Sequence, residues 1–122
     1  MASTPFNTHE TGWSAVVNNS YGKFFLERVG NIVTCEIRWA SGVSPTLAAW
    51  EQLTIASTAS IPAFFLPTSA EKTQYFQIIR QNASDYKSVY ARVDDTGIQL
   101  SNQSGAQQAI GTLLTMTLTW VV

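Results

Sequence analysis

Wherever the chain shows a strong pattern, apolar and polar residues alternate with a period of two. The clearest run is Leu113 to Val122. Leu114, Met116, Leu118, Trp120 and Val122 share one face, and Thr115, Thr117 and Thr119 share the other. Successive side chains of a strand point to opposite faces, so the alternation predicts a half-buried strand with threonines outward. The stretch Lys23 to Trp39 predicts a hairpin. Phe24, Phe25 and Leu26 lead into Glu27-Arg28-Val29, and Gly30-Asn31 supplies a two-residue turn. Gly and Asn tolerate the positive φ that such turns need. The returning strand from Ile32 sets Val33, Cys35, Ile37 and Trp39 against Thr34, Glu36 and Arg38.

Lys87 to Leu100 predicts a second hairpin. Val89, Ala91 and Val93 alternate inward, Asp94-Asp95-Thr96-Gly97 makes the turn, and Ile98 and Leu100 resume the apolar face. Asp side chains cap their own backbone in such turns. Tyr75 to Arg80 is a further strand, and Trp50 to Ile55 a weaker one. Pro45 to Glu51 suggests a single helical turn, with Ser44 as N-cap before Pro45. Ala40–Pro45, Ala56–Ser60 and Asn102–Ala109 read as loops. Short strands at a spacing of roughly 8–12 residues predict an all-β fold. The expected form is an antiparallel β-sandwich or β-barrel of the jelly-roll or Greek-key kind. Residues 13–122 are read as one β domain and residues 1–12 as an N-terminal arm or linker remnant.

Composition narrows the class of ligand. Only 12% of the 122 residues are charged, against roughly 25% in average domains, so Ser, Thr, Asn and Gln supply the polar surface. Such a surface suits a neutral ligand such as a sugar, or contact with other protein. Net charge is −1 and Lys and Arg are scattered singly. Nucleic-acid binding is therefore not expected, since it needs a basic patch. No apolar run approaches the roughly 18–20 residues of a membrane span, so insertion is not expected. The opening MASTPFNTHETGW has neither a basic n-region nor an apolar h-region and does not read as a signal peptide. Cys35 is the only cysteine. It cannot pair within the chain, and inside an apolar strand it reads as a small buried hydrophobe.

Catalytic constellations do not emerge. His9 is the single histidine and lies in a polar N-terminal stretch, a poor place for a Ser-His-Asp or Cys-His arrangement. Asp94-Asp95 lacks the further acids of a calcium loop, and no cluster has metal-ligand spacing. Of the acids Glu10, Glu27, Glu36, Glu51, Glu71, Asp85, Asp94 and Asp95, no pair is singled out as a glycosidase dyad. Phosphate-binding and nucleophile-elbow motifs are absent. A non-enzymatic protein without cofactor or metal is expected. Aromatic, amide and hydroxyl groups remain. Sugars bind aromatic faces that cover their C–H patches and planar polar side chains that bridge their hydroxyls. Trp50, Tyr86 and Tyr90 are the aromatic candidates. Arg80, Arg92, Asn82, Asn102 and Gln103 are the polar ones. Trp50, Tyr90, Arg92 and Asn102 form the expected saccharide site.

The order of these signals resembles a known family. Tyr21-Gly22-Lys23-Phe24-Phe25-Leu26-Glu27-Arg28-Val29-Gly30-Asn31-Ile32-Val33 is similar to the aromatic–x–R/K–x–V–G–N–x–V opening of C-terminal head domains in tailed-phage fibres and receptor-binding proteins. Ile61-Pro62-Ala63-Phe64-Phe65-Leu66-Pro67 resembles that group's Pro-x-Gly-Phe-Arg-Pro segment, with Phe64-Phe65-Leu66 where Gly-Phe-Arg is usual. Val93 to Leu100 resembles its glycine hairpin, and the strand ending in Trp120 its closing strand. The likeness covers roughly residues 13–122, and it rests on the order of the motifs. In some such heads the strand before the glycine hairpin carries a His and an Asp that contact saccharide; counted back from Gly97, Tyr90 and Arg92 stand there. The resemblance implies a homotrimer at the virion tail tip, joined to other tail or baseplate proteins and binding host cell-surface polysaccharide. Phe6, Trp13, Phe24 and Phe64 would be surplus apolar residues for the trimer interface. The alternatives are a structural virion protein that makes only protein contacts, a trimeric adhesin or cytokine-like domain of cellular origin, and a hydrolase on the same scaffold.

Overall fold

A computed structural model describes residues 12–77, 89–110 and 115–122. Ten strands are described: β1 (Trp13–Asn19), β2 (Gly22–Val29), β3 (Ile32–Trp39), β4 (Thr46–Leu47), β5 (Gln52–Ser57), β6 (Gln74–Gln77), β7 (Val89–Asp94), β8 (Gly97–Asn102), β9 (Gln108–Ala109) and β10 (Thr115–Val121). They form a four-stranded antiparallel sheet in the order β1-β2-β3-β10, a second in the order β5-β8-β7-β6, and a small β4-β9 pair. The fold is all-β, as the period-two pattern requires.

The two large sheets share one core and make a sandwich. Val17, Phe24, Leu26, Val33, Cys35, Ile37, Trp39, Leu118 and Trp120 come from the first sheet. Ile55, Val89, Ala91, Val93, Ile98 and Leu100 come from the second, and Leu47, Ile61, Phe65, Leu66 and Ile110 close the gaps from the connections. Polar ties cross between layers. The buried Trp120 indole N–H donates to the Phe65 carbonyl at 2.8 Å, and Asn19 Nδ2 donates to the Ile55 carbonyl at 2.8 Å. Both satisfy groups that would otherwise be costly to bury.

The Gly30-Asn31 hairpin has the expected register, with Val29 opposite Ile32. Gly30 has φ +61°, which glycine adopts without strain. Arg28, only 8% exposed, ties this turn to the rest of the fold. Its Nε donates to the Gly30 carbonyl at 2.7 Å and its Nη1 to the Phe64 carbonyl at 2.7 Å, while its guanidinium lies 4.2 Å from the Phe64 ring centroid. The β7–β8 hairpin also forms, with Asp94 opposite Gly97. β10 carries Leu118 and Trp120 inward and Thr117 and Thr119 outward.

Four expectations change. β1 has no counterpart in the pattern reading: Val16 and Val17 are adjacent, which hides an alternation that leaves Val17 buried and Val16 61% exposed. No helical turn forms at Pro45–Glu51. Thr46 and Leu47 instead pair with Ala109 and Gln108, and a turn at Ala49-Trp50 is closed by Glu51 N–H donating to the Ala48 carbonyl. Parts of the expected loops are therefore strand, including Ala56-Ser57 and Gln108-Ala109. Phe24 is not surplus; it is fully buried in the core of one chain. The Phe6, His9, Tyr86, Arg80, Asn82, Leu113 and Leu114 readings lie outside the described residues.

Candidate functional site

On the second sheet, Val89, Ala91 and Val93 of β7 point into the core, so Tyr90 and Arg92 between them point outward. β6 pairs with β7 so that Tyr75 stands opposite Arg92, and Gln77 opposite Tyr90. Phe76 packs toward the core, and Tyr75 and Gln77 are exposed. Register alone thus gathers two tyrosines on one face. Their rings meet edge to face, with centroids 6.5 Å apart and planes at 85°. Tyr75, Tyr90 and Gln103 line an open depression of about 390 Å³.

Behind this corner lies a closed polar network. Arg92 Nε donates to the Tyr75 hydroxyl at 3.2 Å. Arg92 Nη1 donates to Asp94 Oδ2 at 2.6 Å and to Gln99 Oε1 at 3.0 Å. Asp94 Oδ1 accepts from the Thr96 backbone N–H at 2.9 Å, the Thr96 hydroxyl at 2.6 Å and Gln99 Nε2 at 3.3 Å. Burial pushes the Asp94 carboxyl up. The Thr96 and Gln99 hydrogen bonds and the Arg92 charge outweigh it and hold the group below the usual carboxylate range. For Arg92, burial pulls down, but Tyr75 and Asp94 outweigh it and raise the guanidinium further. Both groups therefore stay charged at neutral pH, as a pair. Arg92 is not in the depression's lining, and it meets the corner through the Tyr75 hydroxyl.

The other expected site residues are placed differently. Asn102 is not a surface contact. It is fully buried, and its Nδ2 donates to the carbonyls of Ala48 at 2.9 Å and Ala106 at 2.8 Å, while its Oδ1 accepts from Ser104. Its amide holds the β4 end and the loop after β8 together, so it has nothing left for a ligand. Trp50 is 65% exposed and does not line the Tyr75–Tyr90 depression. It has φ +61°, an unusual conformation for a bulky residue. Its backbone N–H donates to the Ser104 carbonyl at 3.0 Å, one residue from Gln103. Sequence reasoning missed Tyr75 as a site residue. The signal lay in the alternation of Tyr75 and Gln77 against Phe76, but only pairing with β7 brings Tyr75 to Tyr90.

A second depression, about 410 Å³, lies on the first sheet's outer face, lined by Ser14, Val16, Phe25, Glu27, Thr34 and Glu36 among others. Its ring is covered: Arg38 lies 4.9 Å and Lys23 5.9 Å from the Phe25 centroid, and Arg38 also pairs with Glu36 at 3.1 Å. The tyrosine corner is the more open aromatic surface. Cys35 is buried, and burial, with the nearby Glu36 charge, pushes its thiol up to about 12, so it is not a thiolate nucleophile at neutral pH. Among the described residues no group of three or more His, Cys, Asp or Glu side chains could hold a metal, and no helix is long and apolar enough to cross a membrane.

No protein-family model, curated protein or solved structure matches the chain.

Proposed function

We propose that this chain is the receptor-binding head of a tailed-phage tail fibre or baseplate, acting at the virion tail tip. In this reading it adsorbs to host cell-surface saccharide through the outward face of β6 and β7. The carrying observation is the Tyr75–Tyr90 corner, an open aromatic angle with Gln103 at its side. Aromatic faces cover sugar C–H patches, and amides and phenols pair with hydroxyls. Support also comes from contact between the segments that carry the family likeness. Arg28 of the first bonds and stacks on Phe64 of the second, and Trp120 of the closing strand bonds Phe65. Motif order then reflects a packed unit.

The test is adsorption to host envelope fractions. Tyr75→Ala is expected to weaken binding about tenfold or more, the equivalent of ~1.4 kcal/mol. Its unfolding midpoint should stay nearly unchanged, because the side chain is 49% exposed. Equal loss of binding and stability would assign Tyr75 to structure instead.

The proposal includes assembly as a homotrimer joined to other tail proteins. Val29, Ile32 and Val121 lie side by side across β2, β3 and β10, each 39–49% exposed. Such a β-branched row suits a buried subunit contact. The same row favours a second reading, a structural virion component that binds protein only. Stable association with a virion protein together with indifference to every envelope glycan would select that reading.

A further inference from the structure

We infer that the Tyr75–Tyr90 corner takes neutral saccharide rather than phosphate- or carboxylate-bearing polymer; this rests on the attachment reading above. Among the described residues the corner's hydrogen-bonding groups are uncharged. Tyr75 Oη accepts from Arg92 Nε, so its own proton is left to donate outward. Gln103 Nε2 donates one N–H to Ser101 Oγ at 2.5 Å, so its second N–H is left to donate and its Oε1 to accept. The Tyr75 and Tyr90 hydroxyls and the Gln103 amide thus offer uncharged donors and acceptors beside an aromatic angle, a set that matches neighbouring hydroxyls of a sugar ring whose C–H face rests on a tyrosine. An anionic receptor has different needs: a free cation or a fork of donors with net positive charge.

Among the described residues the cation nearest the corner is Arg92, and it is already matched. Asp94 sits 2.6 Å from Nη1, with only 6% of its side chain exposed against 20% for Arg92. No partner is described for Nη2, so the pair keeps a donor, but it carries no net charge. The outward neighbours on the paired strands are Gln77 on β6 and Gln52 and Thr54 on β5, all uncharged and exposed. Among the described residues the β7–β8 turn keeps the Arg92 charge matched, because Asp94 is fixed by Thr96 and Gln99 as well as by Arg92.

Calorimetric titration of the full chain tests this. The ligands are a panel of neutral hexose, 6-deoxyhexose and N-acetylhexosamine oligosaccharides, and poly(glycerol phosphate), each at about 0.05 M and about 0.5 M salt, where screening lengths differ severalfold. Binding to a neutral oligosaccharide that changes less than about twofold with salt is expected. Tighter binding to poly(glycerol phosphate) that collapses at high salt would overturn the neutral class while leaving saccharide attachment standing. Binding to neither would remove the attachment reading and this inference with it. Asp94→Asn leaves Arg92 unmatched, and it is expected to gain salt-sensitive binding to poly(glycerol phosphate). A folded variant with no such gain would overturn the role given to the pair. The wild-type salt comparison decides the matter if the variant does not fold.

Discussion

Asp94 shows how one residue serves both stability and recognition. It was legible as turn chemistry, since an Asp that opens a turn caps the backbone two residues on. Its pairing with Arg92 and Gln99 was not, because that depends on strand register. The folded-state Asp94 value lies below that of an unfolded Asp, about 3.9. Its contribution is therefore fully present above that value and is lost as pH falls through the lower, folded value. Urea unfolding of wild type should show this acid limb. Asp94→Asn should flatten it and cost about 1–3 kcal/mol at neutral pH, because buried donors lose their charged acceptor. Identical acid limbs in the two proteins would place the acid sensitivity elsewhere. Trp50 is the second informative residue. A left-handed conformation costs a non-glycine residue on the order of 1–3 kcal/mol. Trp50→Gly should therefore hold or raise the unfolding midpoint, and it should weaken glycan binding if the exposed indole extends the site. A clear fall in stability would mean that its packing over Gly105 outweighs the strain. Asn102 is the case where sequence reading pointed to the surface and the side chain lies inside. Its acceptors on Leu47 and Ala48 are more than 50 residues away in sequence, a distance that no local pattern reports.

At the scale of elements, legibility followed turn chemistry. The β2–β3 hairpin could be read because Gly30-Asn31 separates two clean alternations, and the β7–β8 hairpin because Asp94 to Gly97 does the same. β1 could not, because the adjacent Val16 and Val17 blur the period. β4 and β9 escaped because a two-residue strand has no period; only its long-range partner defines it. Pro45 after Ser44 imitates a helix start, yet Leu47 is drawn into the core and pairs with Gln108, and tertiary burial outweighs that weak local signal. The exposed row on β2, β3 and β10 carries its own test. Light scattering should give three times the chain's 13.4 kDa. Ile32→Lys should reduce this to a monomer without unfolding it, since the residue is 45% exposed in the single chain. A wild-type monomer would remove the trimer from the proposal.

For the whole molecule, the sandwich follows from the alternation, the low charge and the shortage of helix signals. The site was half legible: Tyr90 and Arg92 alternate outward on any reading of β7, but the partner that turns Tyr90 into a corner comes from the preceding strand, β6, and only its register against β7 brings the two rings together. Arg92 also holds Tyr75 through its hydroxyl. Two faces of the sandwich compete for function, the open tyrosine corner and the Phe25 depression roofed by Arg38 and Lys23. Backbone amide NMR during titration with the host envelope saccharide separates them most directly. Attachment through the second sheet predicts shifts concentrated at Tyr75, Gln77, Tyr90 and Gln103. Shifts confined to Ser14, Val16, Phe25 and Glu36, or none at saturating saccharide, would contradict it.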